Sequence, residues 1–342
     1  MHRAGQLFER IADLENLRAA YLRAAQGKRG RAEVLRFAAR LDSELAALAS
    51  SLRDGTIVVG RFQQFLIHDP KQRVITAPCF RERVLHHAVM RTCEPVFEKW
   101  LIDDTFACRR GRGRLEALHR AQKFARRDSA FFKLDIRKYF DSISHNLLLE
   151  RLARMFRERR LLDLFEKIVR QFRGEMNVGL PIGSLTSQHF ANCYLGTFDR
   201  FVKEELRIGG YVRYMDDMVI WGNSPRELRT VADQCREFLG NNLRLSMKAE
   251  PEINFTSHGM DFLGCRLFPT HIELNRRSRL RFRRQMTRLE RDAISGRITD
   301  RELQQRATAL VAFTRAGGVA SWHWRSRVIK SLPVSGHKAR SG

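Results

Sequence analysis

The sequence is poor in the features of secreted, zinc-bound or membrane-spanning proteins. Its six cysteines (Cys79, Cys93, Cys108, Cys193, Cys235 and Cys265) are widely spaced, with no Cys-x-x-Cys pair. That argues against structural zinc and a disulfide framework, and predicts reduced thiols. No apolar run approaches the ~20 residues of a membrane span, and the N-terminus lacks a signal peptide's apolar segment; no membrane partner and a cytoplasmic location are expected. There is no internal repeat, no Walker loop and no H-x-x-x-H cluster, and low complexity is confined to one short Arg-Gly loop. Acidic residues are also scarce. Against 63 Lys and Arg stand 38 Asp and Glu, a formal net charge of +25 and a pI near 10.9. Such an excess favours a polyphosphate partner, because neutralising phosphates releases counterions. A ribosomal or membrane-surface protein can be equally basic, so charge ranks nucleic acid first without deciding.

What is present is a 342-residue chain, 43% hydrophobic, able to bury a full core and to divide into two or three subdomains. Its most informative stretch is Gly209–Gly222, GGYVRYMDDMVIWG. Apolar residues flanking an Asp-Asp pair, with glycines at the far ends, predict two short strands meeting in a tight turn. Asp216 and Asp217 then sit at a hairpin tip. A lone Asp-Asp is ordinarily a solvated turn, but a second carboxylate, Asp135, lies in an equally apolar run, FFKLDI over 131–136. Aspartates from separate strands make a hard-oxygen cradle for Mg²⁺ that leaves positions open for phosphates and water. Two-metal phosphoryl transfer uses such a cradle, with ions roughly 3.5–4 Å apart.

In chain order, residues 1–55 read as helical, with Leu7, Ile11, Leu14 and Leu17 on one face and Leu41, Leu45, Leu48 and Leu52 on another. Between them Lys28-Arg29-Gly30-Arg31 is a basic turn, either a solvated loop or a phosphate contact. Short β-prone runs follow at 57–59, 65–67 and 74–75, with Lys71 and Arg73 near a hairpin tip where a point charge and a fork would suit a triphosphate. Phe80–Trp100 is helical; its His86 and His87 have no acid or Cys partner at ligand spacing and read as core or RNA-facing. Arg109–Arg114 is a flexible basic loop suited to gripping backbone phosphates without sequence readout. Asn146–Phe172 is amphipathic, with Arg151, Arg154 and Arg157 off the apolar face. A rigid turn at Gly179–Ser184 precedes a helix over Thr186–Leu206, whose aromatic stripe reads as core. Pro225–Leu239 is a helix, Leu243–Met247 a strand and Met260–Phe268 a further β-turn element. From Asn275 the tail is helical, with ten arginines between Arg276 and Arg301, a composition suited to clamping a duplex backbone.

Taken together, these elements resemble a reverse transcriptase over most of the chain, from about Leu7 onward. FFKLDIRKYFDSISH (131–145) is similar to the family's first catalytic motif, and GLPIGSLTSQHFANCYL (179–195) to the turn and helix that follow it. YMDD (214–217) resembles the metal-binding hairpin, and Phe262-Leu263-Gly264 the primer grip. At 182–188, IGSLTSQ departs from the usual Gln-Gly followed by Ser-Pro, with Ile182 for Gln and Gln188 for Pro. That departure resembles the reverse transcriptases of diversity-generating retroelements, which copy a template RNA into error-rich cDNA. The compact length, Ala107-Cys108-Arg109 and Phe268-Pro269-Thr270-His271 agree with it. Other bacterial reverse transcriptases, from retrons, abortive-infection systems or group II introns, are the alternative.

The resemblance implies an α+β right-hand polymerase: an N-terminal helical extension over 1–55, interleaved fingers and antiparallel palm over 56–268, and a basic helical thumb and tail over 269–342. It implies catalytic Asp135, Asp216 and Asp217, and two Mg²⁺ ions (Mn²⁺ as substitute) held by these aspartates and the Ile136 carbonyl. Lys71 and Arg73 are implied to contact the incoming triphosphate, with Ile182 and Gly183 beside the nascent pair. Phe140 falls at the steric gate against a 2′-OH, and Lys248 at a position that protonates pyrophosphate. Implied partners are template RNA, the cDNA/RNA heteroduplex, dNTPs and a small helical, pentameric accessory protein.

Overall fold

The computed structural model describes residues 3–68, 72–172, 177–248, 251–315 and 318–330. Four helices open the chain: α1 (Phe8–Ala12), α2 (Leu14–Ala25), α3 (Ala32–Ala38) and α4 (Leu41–Arg53). Asp13 caps α2 by accepting from the Asn16 amide at 3.1 Å, supplying one of the acceptors a helix start lacks. Their buried faces (Leu17, Leu45, Leu48, Leu52) join the same core as α5 (Phe80–Trp100). Between them β1 (Phe62–His68) and β2 (Gln72–Pro78) form an antiparallel ribbon with Phe65 opposite Ile75. The expected strand at 57–59 is absent; Ile57 and Val59 are buried into the core as irregular chain instead.

Next come α6 (Arg114–Arg127), β3 (Ala130–Asp135), α7 (Tyr139–Ser142), α8 (His145–Met155), α9 (Arg159–Arg170), α10 (Leu185–Tyr194) and α11 (Gly196–Arg200). The amphipathic region at 146–172 divides into α8 and α9, and the helix expected at 186–206 runs through α10 and α11 into a π-helical turn over Phe201–Glu205. Arg151 faces inward, contrary to its expected outer position. It is buried, its guanidinium 5.0 Å from the Tyr194 ring centroid, and bonded to Thr197 Oγ1 at 3.0 Å.

Strands β4 (Gly210–Tyr214) and β5 (Asp217–Gly222), helix α12 (Pro225–Leu243) and strand β6 (Glu252–Phe255) complete a four-stranded sheet of order β4-β5-β3-β6. Its described pairings are all antiparallel. Because side chains alternate across a strand, each face feeds a different core. Phe132, Leu134, Met218 and Ile220 join the large cluster with α5, α10 and α12. Phe131, Val212, Val219 and Trp221 point the other way, onto α6 and the small sheet of β7 (Met260–Phe262), β8 (Cys265–Leu267) and β9 (Ile272–Leu274). The expected strand at Leu243–Met247 does not form. Arg244 is left-handed and the Leu245 amide bonds back to Leu239 O at 2.9 Å, which caps α12. The strand lies later, at β6.

The described chain ends in α13 (Arg276–Ile294), α14 (Asp300–Thr314) and α15 (Gly318–Lys330). A reciprocal Thr299–Glu302 capping box starts α14. On α13, Phe282, Met286 and Leu289 are buried while Arg276, Arg277, Arg283, Arg284, Arg288 and Arg291 are exposed, so the basic face is the outer one. All six cysteines are free thiols, and among the described residues no helix is long and apolar enough to cross a membrane.

Candidate active site

The register of the central sheet brings the three aspartates together. Asp135 ends β3 directly opposite Asp217, which opens β5; Tyr214 pairs with Asp217 across the hairpin, leaving Met215 and Asp216 as its two-residue turn. Apolar neighbours on both sides desolvate the carboxylates. Burial raises the Asp217 pKa to about 6, with Asp135 and Asp216 adding repulsion and Lys133 opposing it. Asp216 is likewise raised, first by burial and then by Asp135, against Arg73 and Lys248. Asp217 Oδ1 is buried without a hydrogen-bond partner. Lys133 Nζ lies 3.6 Å away, an ion pair too long to be a hydrogen bond.

A buried carboxylate oxygen with no hydrogen-bond donor, flanked by two further carboxylates, is an acceptor left open. Hard oxygen donors of this kind suit a divalent cation, so the residues fit the metals their chemistry implies. The cage is not preassembled. Asp135 Oδ2 is taken by Lys248 Nζ at 2.8 Å. Among the described residues no three His, Cys, Asp or Glu side chains form a group that would hold a metal ion. Lys248 is fixed there by its own amide, which donates to Asp135 O at 2.8 Å, and its pKa is raised by the Asp135 hydrogen bond. Ile136 sits between these bonds, paired as an isolated bridge with Met247.

Beneath the turn lies a polar network with no counterpart in the motif reading. Arg213 of β4 is fully buried and forks onto Asp199 of α11, both N–O distances being 2.6 Å. Tyr211 Oη and Thr105 Oγ1 also donate to Asp199, at 2.7 and 2.9 Å. Arg213 further reaches Asn192 Oδ1 at 2.7 Å and the Met215 carbonyl at 3.2 Å. Burial pulls the Arg213 pKa down, and Asp199 more than restores it, keeping the guanidinium charged. The network thus holds the carbonyl just before Asp216. Met215 needs such support, since its φ of 58° is a left-handed conformation unfavourable for a long side chain.

The other expected residues have the following settings. Arg73, exposed on β2, acts electrostatically on Asp216; Lys71 lies outside the described residues. Phe140 is half-buried, edge-on to Tyr139 at 5.7 Å, and its carbonyl accepts from the Leu180 amide at 2.8 Å. The Ile182 carbonyl accepts from the Thr76 amide at 2.8 Å, fastening its turn to β2. Gly183 has φ 120°, and an added Cβ would lie 2.8 Å from Ile75 Cγ2, so the close approach to β2 requires glycine. Phe262 is buried at the end of β7, and Leu263-Gly264 form the β7–β8 turn.

One expectation is corrected here. The Arg-Gly loop spends its charges internally. Arg109 bonds Glu98 at 2.9 Å and the Ile102 and Thr105 carbonyls, Arg110 pairs with Glu94 and Arg112 with Asp103. Arg114 turns inward to Leu263 O. The histidine pair divides in role. His86 is core, with Nδ1 2.8 Å from Ser184 Oγ, whereas His87 is half-buried and its pKa falls to about 4 through burial and then His86 and nearby cations.

Residues 68–267 match the family described as "Reverse transcriptase (RNA-dependent DNA polymerase)". The chain is 24% identical over 281 residues to Protein YkfC of Escherichia coli, covering 66% of this chain and 73% of that protein. It is 22% identical over 135 residues to the putative COX1/OXI3 intron 1 protein of Saccharomyces cerevisiae, covering 37% of this chain but only 16% of that one. A structure of apo telomerase from Candida tropicalis superposes with a TM-score of 0.52 at 12% identity, over 79% of this chain and 59% of that chain. That likeness concerns the fold alone.

Proposed function

The chain belongs to the reverse transcriptase (RNA-dependent DNA polymerase) family and has its right-hand fold, and we propose that it copies a template RNA into error-rich cDNA for diversification of a target sequence. The observation that carries the chemistry is the register placing Asp135 opposite Asp217, with Asp216 in the adjoining turn. Asp135 and Asp216 would hold two divalent cations, Mg²⁺ with Mn²⁺ as substitute, supported by Asp217 and the Ile136 carbonyl. When bound, these cations supply a lowered pKa at the primer 3′-OH and neutralise the departing pyrophosphate. Arg73 and Lys71 steer the triphosphate by charge. Phe140 presents a flat ring that rejects a 2′-OH, and Lys248, already an ammonium beside Asp135, delivers the proton to pyrophosphate. Phe262–Gly264 seat the primer terminus. In the division adopted here, residues 1–55 are the helical extension, 56–268 fingers and palm, and 269–342 the thumb, whose arginines face outward on α13 to follow the heteroduplex backbone.

The error-prone reading is supported by Ile182. Its half-buried aliphatic side chain stands where Gln would offer a hydrogen-bonding amide, in a turn fastened to β2. A small helical, pentameric accessory protein goes with this reading. A second reading, a reverse transcriptase of intron, retron or abortive-infection type with ordinary fidelity, is favoured by the matches to two yeast intron proteins. Sequencing cDNA made on one defined RNA separates the two. Substitutions concentrated opposite template adenine are expected; a flat spectrum at ordinary frequency would leave the second reading standing.

A further inference from the structure

The Arg-Gly loop ends in a residue whose position costs energy. Arg114 is the first residue of α6, where the helix dipole disfavours a cation, and burial lowers its pKa. Its partners explain the placement. Nε donates to the Leu263 carbonyl at 2.6 Å, one Nη donates to the Phe313 carbonyl at 2.8 Å, and the other lies 3.1 Å from Cys265 Sγ. The guanidinium carbon also sits 3.9 Å from the Phe313 ring centroid, a cation–π distance.

The contacts divide between two places, the β7–β8 hairpin and the end of α14. Leu263 and Gly264, at φ 48° and 79°, form the two-residue turn between β7 and β8. A left-handed leucine persists only where its surroundings hold it, and Arg114 holds its carbonyl. Phe313 lies in the last turn of α14, whose carbonyls lack intrahelical donors and form the negative end of the dipole. There the same cation acts as a C-terminal cap. Gly264 closes the junction: an added Cβ would fall 2.8 Å from Ser278 Oγ of α13 and 3.1 Å from Phe313 Cζ. The Asn275 amide, at the cap of α13, bonds Gly264 O at 3.3 Å. One side chain from α6 therefore ties the β7–β8 turn to the basic helices beyond it.

We infer that Arg114 is a positioning residue that couples the primer-gripping turn to the thumb, so that the primer terminus and the duplex-holding helices keep one register through successive additions. This rests on the polymerase reading and on Phe262–Gly264 as the primer grip. The test is primer extension by the full chain on a long RNA template, with a polyanion trap limiting each enzyme to one binding event. First-nucleotide kinetics are measured alongside.

For Arg114→Ala the mean product per binding event is expected to shorten about tenfold, the factor one charge-assisted hydrogen bond is worth. KM for primer–template should rise, and the first-nucleotide kcat should change least. Arg114→Lys keeps the charge without the fork and should fall between. Unchanged product lengths would overturn the inference, as would lengths and first-nucleotide rate falling in proportion to the folded fraction. If Arg114→Ala does not fold, Phe313→Ala decides by the same readout, because it removes the ring under the guanidinium at a site 37% exposed. A wild-type chain that extends no primer would overturn the polymerase reading and this inference with it; a wild-type chain that extends while both variants match it overturns the coupling alone.

Discussion

The β4–β5 and β7–β8 turns each carry a bulky residue in the left-handed region, Met215 and Leu263, and in each an arginine holds that residue's carbonyl. Their supports differ. Arg213 belongs to β4 itself, is wholly buried, and is neutralised by a bidentate carboxylate that Tyr211 and Thr105 also hold. Arg114 comes from a separate helix, and its partners are two carbonyls, a thiol and a ring. The first arrangement locks a turn to its own sheet. The second lets a turn answer to another part of the molecule. In the proposed polymerase reading, chemistry that requires fixed carboxylates would sit on the locked turn, and handling of a moving duplex on the linked one.

The sharpest way to break that contrast is Asp199→Ala, which leaves Arg213 buried and unpaired. A destabilisation of about 3–5 kcal/mol is expected, against about 1–3 kcal/mol for Arg114→Ala, both measured by urea unfolding. Equal losses would erase the distinction between locked and linked turns. Next in size, Phe140→Ala, which tests the proposed steric gate, should raise ribonucleotide relative to deoxyribonucleotide incorporation by folded enzyme. An unchanged ratio would return Phe140 to the core, where truncation costs about 3–5 kcal/mol and nothing else. Smallest is Ile182→Gln, expected to lower misincorporation opposite template adenine by less than the tenfold that 1.36 kcal/mol of barrier represents. Equal error frequencies from equally active enzymes would remove Ile182 from any account of infidelity.

The locked turn was legible in sequence because its aspartates interrupt two apolar strands, a pattern with few bland explanations. Its support was not. Arg213 in a strand reads as a solvent-facing charge, and its partner Asp199 lies in a helix whose neighbours Phe198, Phe201 and Val202 read as an ordinary core stripe. A cue did exist: β4 is apolar on both faces, so its one arginine had to find a buried acid. The Arg-Gly loop misled for the opposite reason. Composition records that its arginines are cationic, whereas their carbonyl and carboxylate partners come from α5, the 102–105 segment, the β7–β8 turn and α14. Leu243, Leu245 and Met247 alternate like a strand, but Arg244 turns left-handed to cap α12, and capping geometry overrides a period of two. Strand β6 escaped notice because Glu252–Phe255 is a four-residue edge with little alternation.

In the proposed reading, chemistry belongs to the three aspartates and affinity to the spread of basic side chains. Primer extension on a defined RNA in Mg²⁺, run for wild type and Asp216→Ala beside an RNA-binding titration, tests it most directly. The account predicts that the wild type adds deoxynucleotides, while the variant adds none and binds RNA with nearly wild-type affinity, because phosphate contacts carry binding. Appreciable extension by Asp216→Ala would contradict it.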